Sequence, residues 1–262
     1  MRRRNRIASP RRSSHWRLVD KPSTAIVTGA GKRVGEQIAR ALLADGWTVL
    51  AHVHHEADKV PDGAAKVVAD LGDADCGEAI FAAAAAELPP VRLLVNNAAR
   101  FTWDGFGEFN PAEFDEHMAV NVRAPLILID QFAARHAGGD ALVVNLLDSK
   151  LSAPNPDFLS YTLSKYALAG LTELAARALA VRGIRVNGIA PAAMLRSSGQ
   201  SEENFKKMHA NNPLRRGVEP EDVVGALRCL IEAKAVTGQV ITIDSGQRFM
   251  GLGRDVQFLD RI

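Results

Sequence analysis

The sequence predicts an α/β fold in a single domain, a doubly wound parallel sheet with helices on both faces. Three observations carry that expectation. Short apolar or β-branched runs alternate with longer helical patterns along the chain. The run 142–147 (LVVNLL) is almost continuously apolar, as in strands covered on both faces rather than one. A glycine-rich turn at 29–35 (GAGKRVG) falls between the first strand and the first helix. Length agrees, because 262 residues of 47% hydrophobic composition are enough to bury one substantial core.

Taken in order, residues 1–21 come first, with eight Lys/Arg against one acid. They read as a basic, disordered extension. The remainder holds 24 bases and 29 acids, so the formal charge of +2 hides a mildly acidic body and a nucleic-acid-binding surface is not expected. The body, 22–249, begins with a strand at 25–28 and a helix at 34–44, then strands at 48–53, 66–69 and 93–96. A long helical pattern at 112–136 precedes a strand at 141–146, a helix at 158–180, and strands at 185–189 and 240–243. The stretch 192–213 is polar and poorly periodic and reads as a mobile loop over a site. Residues 250–262 form an extension that closes a pocket or touches a neighbouring subunit. Cys76 and Cys229 stand far apart with no metal-ligand spacing, which fits a reducing, cytoplasmic setting. No apolar run approaches the roughly 18 residues of a membrane span.

In the turn, backbone N–H groups and the positive end of the following helix face a pyrophosphate. A fold that selects NAD places an acid at the tip of the second strand, whereas NADP needs cations there. That strand ends His52-Val53-His54-His55, and Lys32, Arg33 and His55 stand where a 2′-phosphate is met, so the cofactor reading is NADPH. Glu56, one position later, pulls the other way. The three histidines are not read as a metal site, since no acid or cysteine accompanies them on the strand face.

Tyr161 and Lys165, four residues apart, lie on one face of their helix. The ammonium is expected to favour the tyrosinate, lowering the phenol pKa towards the working pH, and to bind the nicotinamide ribose.

Thr28-Gly29-Ala30-Gly31-Lys32-Arg33-Val34-Gly35, with Tyr161 and Lys165 about 130 residues downstream, resembles the short-chain dehydrogenase/reductase family, which has a single-domain Rossmann fold. The resemblance spans about residues 23–249 and implies roles residue by residue. Gly29, Lys32, Arg33, Val34 and Gly35 correspond to the phosphate turn, with His54 and His55 beside the 2′-phosphate. Asp70 and Leu71 resemble the pair that contacts adenine, and Asn97, Ala98 and Ala99 the element beside the ribose. Pro191 lies in the segment that approaches the carboxamide, where Ala192 replaces the usual glycine. Asn121, four residues before Pro125, matches the family's catalytic asparagine beside Tyr161 and Lys165.

Two departures narrow the resemblance to pteridine and dihydromonapterin reductases. Arg33 replaces the middle glycine, and Asp148 stands thirteen residues before Tyr161 in place of a serine. Phe101 matches an aromatic that stacks the pterin ring in that subgroup, so Arg33, Phe101, Asp148 and Tyr161 are the expected substrate contacts. Ser149 fills the serine role instead if a bulge shifts the strand end by one residue. Three functions stay open: hydride transfer to a pterin C=N bond, a carbonyl reductase acting on ketones or acyl thioesters, and an NADPH-binding sensor without turnover. The resemblance also implies a dimer or tetramer through the helices carrying Asn121 and Tyr161.

Overall fold

The computed structural model describes residues 23–196 and 200–261. The basic extension at 1–21 and three residues of the 192–213 stretch lie outside them. Seven parallel strands form one sheet: β1 (Thr24–Val27), β2 (Thr48–Val53), β3 (Ala65–Val68), β4 (Val91–Asn96), β5 (Ala141–Leu146), β6 (Ile184–Pro191) and β7 (Val240–Ile243). Their order, β3-β2-β1-β4-β5-β6-β7, reverses direction between β1 and β4. A crevice opens at such a switch point, outside the carboxyl ends of the strands.

Strand residues alternate between two cores. On one face Ala25, Val27, Leu93, Val95, Leu142 and Val144 pack on Ile38 and Leu42 of α1 (Arg33–Ala44) and on Leu227 and Leu230 of the C-terminal helix Pro220–Glu232. On the other, Ile26, Leu94 and Val143 meet Ile80 and Phe81 of α2 (Cys76–Glu87), with further helices beyond. Apolar residues on both faces explain why the strands read as unbroken runs.

The long pattern 112–136 is two helices, α3 (Pro111–Met118) and α4 (Ala124–Arg135), joined by a π-helical turn, Ala119–Arg123. Pro125 has no N–H for the carbonyl of Asn121 four residues earlier, so a plain α-helical register cannot run through this point. Next comes α5 (Leu159–Leu179), which carries Tyr161 and Lys165. The stretch expected to be loop at 192–213 contains α6 (Glu202–His209), whose start is set by the Ser201 side chain accepting from the Asn204 N–H. The helix at 220–232, α7, opens with Pro220 and a reciprocal cap between Glu219 and Asp222.

Candidate active site

At the switch point, the Thr28 hydroxyl accepts from the N–H groups of Asn97 and Ala98, each at 3.0 Å. The Asn97 carboxamide donates to the Thr28 carbonyl at 2.8 Å. This clip fixes the turn after β1 against the end of β4. Gly35 is obligatory there, because a Cβ would sit 2.1 Å from the Gly29 oxygen and 2.5 Å from Asn97 Nδ2. The backbone at Arg33 is left-handed, φ +56°, a conformation that suits the glycine it replaces. Arg33 keeps that cost with its side chain exposed on the cavity wall.

A residue that the sequence reading passed over as a ligand secures the turn from below. His52, buried in β2, accepts from Gly29 N–H through Nδ1 at 3.2 Å, and its Nε2 lies 3.0 Å from the Ala69 carbonyl. The pairing requires the neutral ring with the proton on Nε2, and burial holds its pKa below the usual 6.5. Its alternation with buried Leu50 in β2 was the available signal.

The cavity over the strand ends holds about 640 Å³. Lys32, Arg33, His54, His55, Asp70 and Leu71 line one end. His54 lies 3.4 Å from Asp70 and its ring stacks on His55 at 4.0 Å. Glu56 turns instead to Lys66, 3.1 Å away, which removes the objection its carboxylate posed. Asp58 lines this end too, its pKa held down by the His55 N–H that it accepts. Among the described residues no three His, Cys, Asp or Glu side chains are arranged to hold a metal ion.

The residues fit a dinucleotide. Val34 and Gly35, in the first turn of α1 where N–H groups lack intrahelical acceptors, both line the cavity. Lys32 and Arg33 supply positive charge beside them, and Ala98, Ala99 and Pro191 continue the same wall towards the reactive end.

At that end, Asp148 Oδ2 accepts the Tyr161 hydroxyl at 2.8 Å, and its Oδ1 accepts Lys150 N–H at 2.9 Å. β5 pairs with β6 in unbroken register from Ala141 to Leu146, so no bulge brings Ser149 into that place. Lys165 Nζ donates to the Leu146 carbonyl at 2.6 Å and lies over the Tyr161 ring. Burial pulls Lys165 down to about 8, against the attraction of Asp148. Burial also raises Asp148 above the usual carboxylate range.

The expected low phenol pKa is not found. Burial, then the Asp148 charge and hydrogen bond, raise Tyr161 well above its usual 10, so the phenol stays neutral and donates to Asp148. Asn121 lies in the π-helical turn, buried, with its amide fully engaged. Its Oδ1 accepts Arg100 N–H at 2.8 Å, while its Nδ2 donates to the Arg100 carbonyl and to Ser164 Oγ. Its amide thus braces the loop after β4 and, through Ser164, whose hydroxyl donates to the Tyr161 carbonyl at 2.6 Å, the first turn of α5.

Phe101 reaches the cavity but is not a free platform. One face stacks on Phe158, with centroids 4.3 Å apart, and its edge relation to Tyr161 is 4.6 Å. Phe158 sits just before α5 with a left-handed φ of +58°. Beside it, buried Asp104 accepts the Ser160 N–H at 2.9 Å and the Ser160 hydroxyl, capping the catalytic helix from the Phe101 loop. Neither Asp104 nor Phe158 stood out in sequence.

The fold and site define a nicotinamide-dependent reductase, and the chain belongs to the short-chain dehydrogenase/reductase family. A family model described as enoyl-(acyl carrier protein) reductase matches residues 29–248. Carbonyl reductase [NADPH] 2 of Sus scrofa is 31% identical, over 85% of this chain and 95% of its own. Pteridine reductase 1 of Leishmania tarentolae is also 31% identical, with the same coverages. The crystal structure of FolM alternative dihydrofolate reductase 1 from Brucella canis complexed with NADP superposes with a TM-score of 0.81 at 35% identity, covering 89% of this chain and 96% of that one. The cofactor is NADP(H).

Proposed function

We propose that the protein reduces a C=N bond of a dihydropterin or dihydrofolate at the expense of NADPH. The observation that carries this reading is Asp148, in the usual serine position, hydrogen-bonded to Tyr161. A serine hydroxyl polarises a carbonyl but does not exchange protons near neutral pH. A buried carboxyl with a raised pKa does, and it also accepts from ring N–H and amino groups. NADPH, when bound, supplies the hydride. The Tyr161–Asp148 pair delivers the proton to the ring nitrogen, Lys165 binds the ribose, and Phe101 and Arg33 flank the ring. The pteridine reductase relative and the FolM neighbour support the same substrate class.

The carbonyl reductase relative favours a second reading, ketone reduction by Tyr161. NADPH oxidation followed by absorbance with dihydrobiopterin, dihydrofolate and a panel of ketones separates the two. Pterin turnover abolished by Asp148→Ala supports the first reading, and ketone turnover indifferent to that substitution sinks it. As part of the same reading, the protein works in the cytoplasm as a dimer or tetramer through α4 and α5, whose Leu126, Leu163 and Leu174 are exposed.

A further inference from the structure

The C-terminal residues after β7 do not trail away from the site. Asp244 accepts from the N–H groups of Gly246 and Arg248, turning the chain back over the strand ends. Arg254 then grips buried Asp157 through Nε and Nη2 at 2.8–3.0 Å, and the Asp255 N–H donates to the same carboxylate at 2.8 Å. Burial alone would raise Asp157, but these partners hold it below the usual carboxylate range. Further on, Phe258 stacks on Phe158, extending the aromatic column that begins at Phe101. Ion pairs and stacking thus fix this strap to the loop between β5 and α5.

The strap carries acceptors to the cavity. Asp255 Oδ2 lies 2.9 Å from Lys150 Nζ, and Lys150 donates its backbone N–H to Asp148. One lysine therefore holds two carboxylates on the same wall. Gln257, also on that wall, has a buried carboxamide oxygen with no hydrogen-bond partner. An orphaned acceptor of this kind is costly unless a donor reaches it. Each Asp255 oxygen already has one partner, Oδ2 the Lys150 ammonium and Oδ1 the Gln257 N–H, and each keeps a second lone pair; with the orphaned Gln257 oxygen they suit a ligand rich in N–H donors.

We propose that Asp255 and Gln257 are specificity-determining residues that accept hydrogen bonds from the amino and ring N–H groups of a flat, amino-substituted N-heterocycle, with the C-terminal strap as the substrate-side wall of the site. This deepens the proposed function and rests on it for the substrate class.

The test is calorimetric titration of a 2,4-diaminopteridine into the NADPH complex, together with steady-state kinetics on a dihydropterin. Asp255→Asn and Gln257→Leu should each weaken diaminopteridine binding about tenfold or more, the scale of one well-made hydrogen bond to a buried group. KM for the dihydropterin should rise in parallel, with kcat and NADPH affinity little changed, and Asp255→Glu should recover much of the loss. Unchanged diaminopteridine affinity in both variants overturns the proposal, as does an equal loss of NADPH affinity in both, which would make the strap merely structural. If the wild type binds the diaminopteridine in an Asp255-dependent way yet reduces only ketones, the pterin-reductase reading falls and this one stands. If it turns over dihydropterins while both variants behave as wild type, the reverse holds. No binding and no pterin turnover by the wild type sinks both.

Discussion

Asp148 and Tyr161 are joined by a 2.8 Å hydrogen bond between two groups whose pKa values are both raised, so neither gives up its charge-neutral form easily. The pair is a proton store, and the phenol by itself is a poor one. Tyr161→Phe should lower kcat about 10²–10⁴-fold, the usual contribution of a positioned acid. Asp148→Asn keeps an acceptor for the phenol but can neither hold nor lose a carboxyl proton, so kcat should fall and the decline that Asp148 ionisation imposes as pH rises should vanish. A profile identical to wild type would remove Asp148 from proton delivery.

Lys165 should make both cofactor binding and stability depend on pH. Its native value of about 8 lies below the ordinary 10.5, so between those values the unfolded chain binds more protons than the folded one. Stability from this group therefore rises with pH across that window. The ammonium needed by the ribose is meanwhile lost above pH about 8, so NADPH affinity should fall there. Fluorescence titrations at pH 7 and 9.5 should show the fall in wild type and little of it in Lys165→Arg.

Arg33→Gly should separate backbone strain from ligand contact. A left-handed non-glycine residue costs about 1–2 kcal/mol, partly offset by the roughly 0.5–1 kcal/mol that glycine loses in chain entropy. Denaturant unfolding should therefore show the variant equal to wild type or up to about 1.5 kcal/mol more stable. NADPH affinity should nevertheless drop, and an unchanged Kd would leave the arginine without a role at the phosphates.

His52→Leu should leave Gly29 N–H and the Ala69 carbonyl unpaired, at a cost of roughly 2 kcal/mol, and weaken NADPH. In wild type the native ring sheds its proton more readily than the unfolded one. Stability should thus be lost as pH falls below about 6.5 and the folded ring is forced to charge. The His52→Leu variant should lack that acid loss in urea midpoints.

Asp104→Ala should destabilise the fold by about 1–2 kcal/mol, as removal of a helix cap does. Because α5 carries Tyr161 and Lys165, kcat should fall as well, with the urea m-value unchanged. Loss of stability with full activity would confine Asp104 to packing.

The phosphate turn and the Tyr161–Lys165 helix were legible because chemistry there demands fixed residue types at short spacing. Asp148 was legible for the same reason, by its distance from Tyr161. What local reading missed depends on partners far away in the chain. His52 matters because Gly29 and Ala69 converge on it, and Asp104 because Ser160, fifty-six residues later, needs an acceptor. The phenol pKa was misjudged because Lys165 turns to the Leu146 carbonyl while Asp148 faces the hydroxyl, a choice made by side-chain packing. α6 was missed because few apolar residues mark it, whereas α7 was legible from Val223, Val224, Leu227, Leu230 and Ile231 at helical spacing and from its cap, and was overlooked.

The π turn at Ala119–Arg123 sets a phase between two helices. Each residue of an α-helix advances about 100° around its axis, so one residue more or fewer re-aims everything before it. α4 keeps Leu128 and Phe132 on the core, while α3 aims Glu113 at Arg100 and His117 at Thr102, bracing the loop that carries Phe101. Deleting a single residue there would rotate α3 by about a quarter turn with α4 undisturbed. The loop would lose its brace while the sheet stayed intact, an angular offset by which one continuous rod serves two differently oriented surfaces.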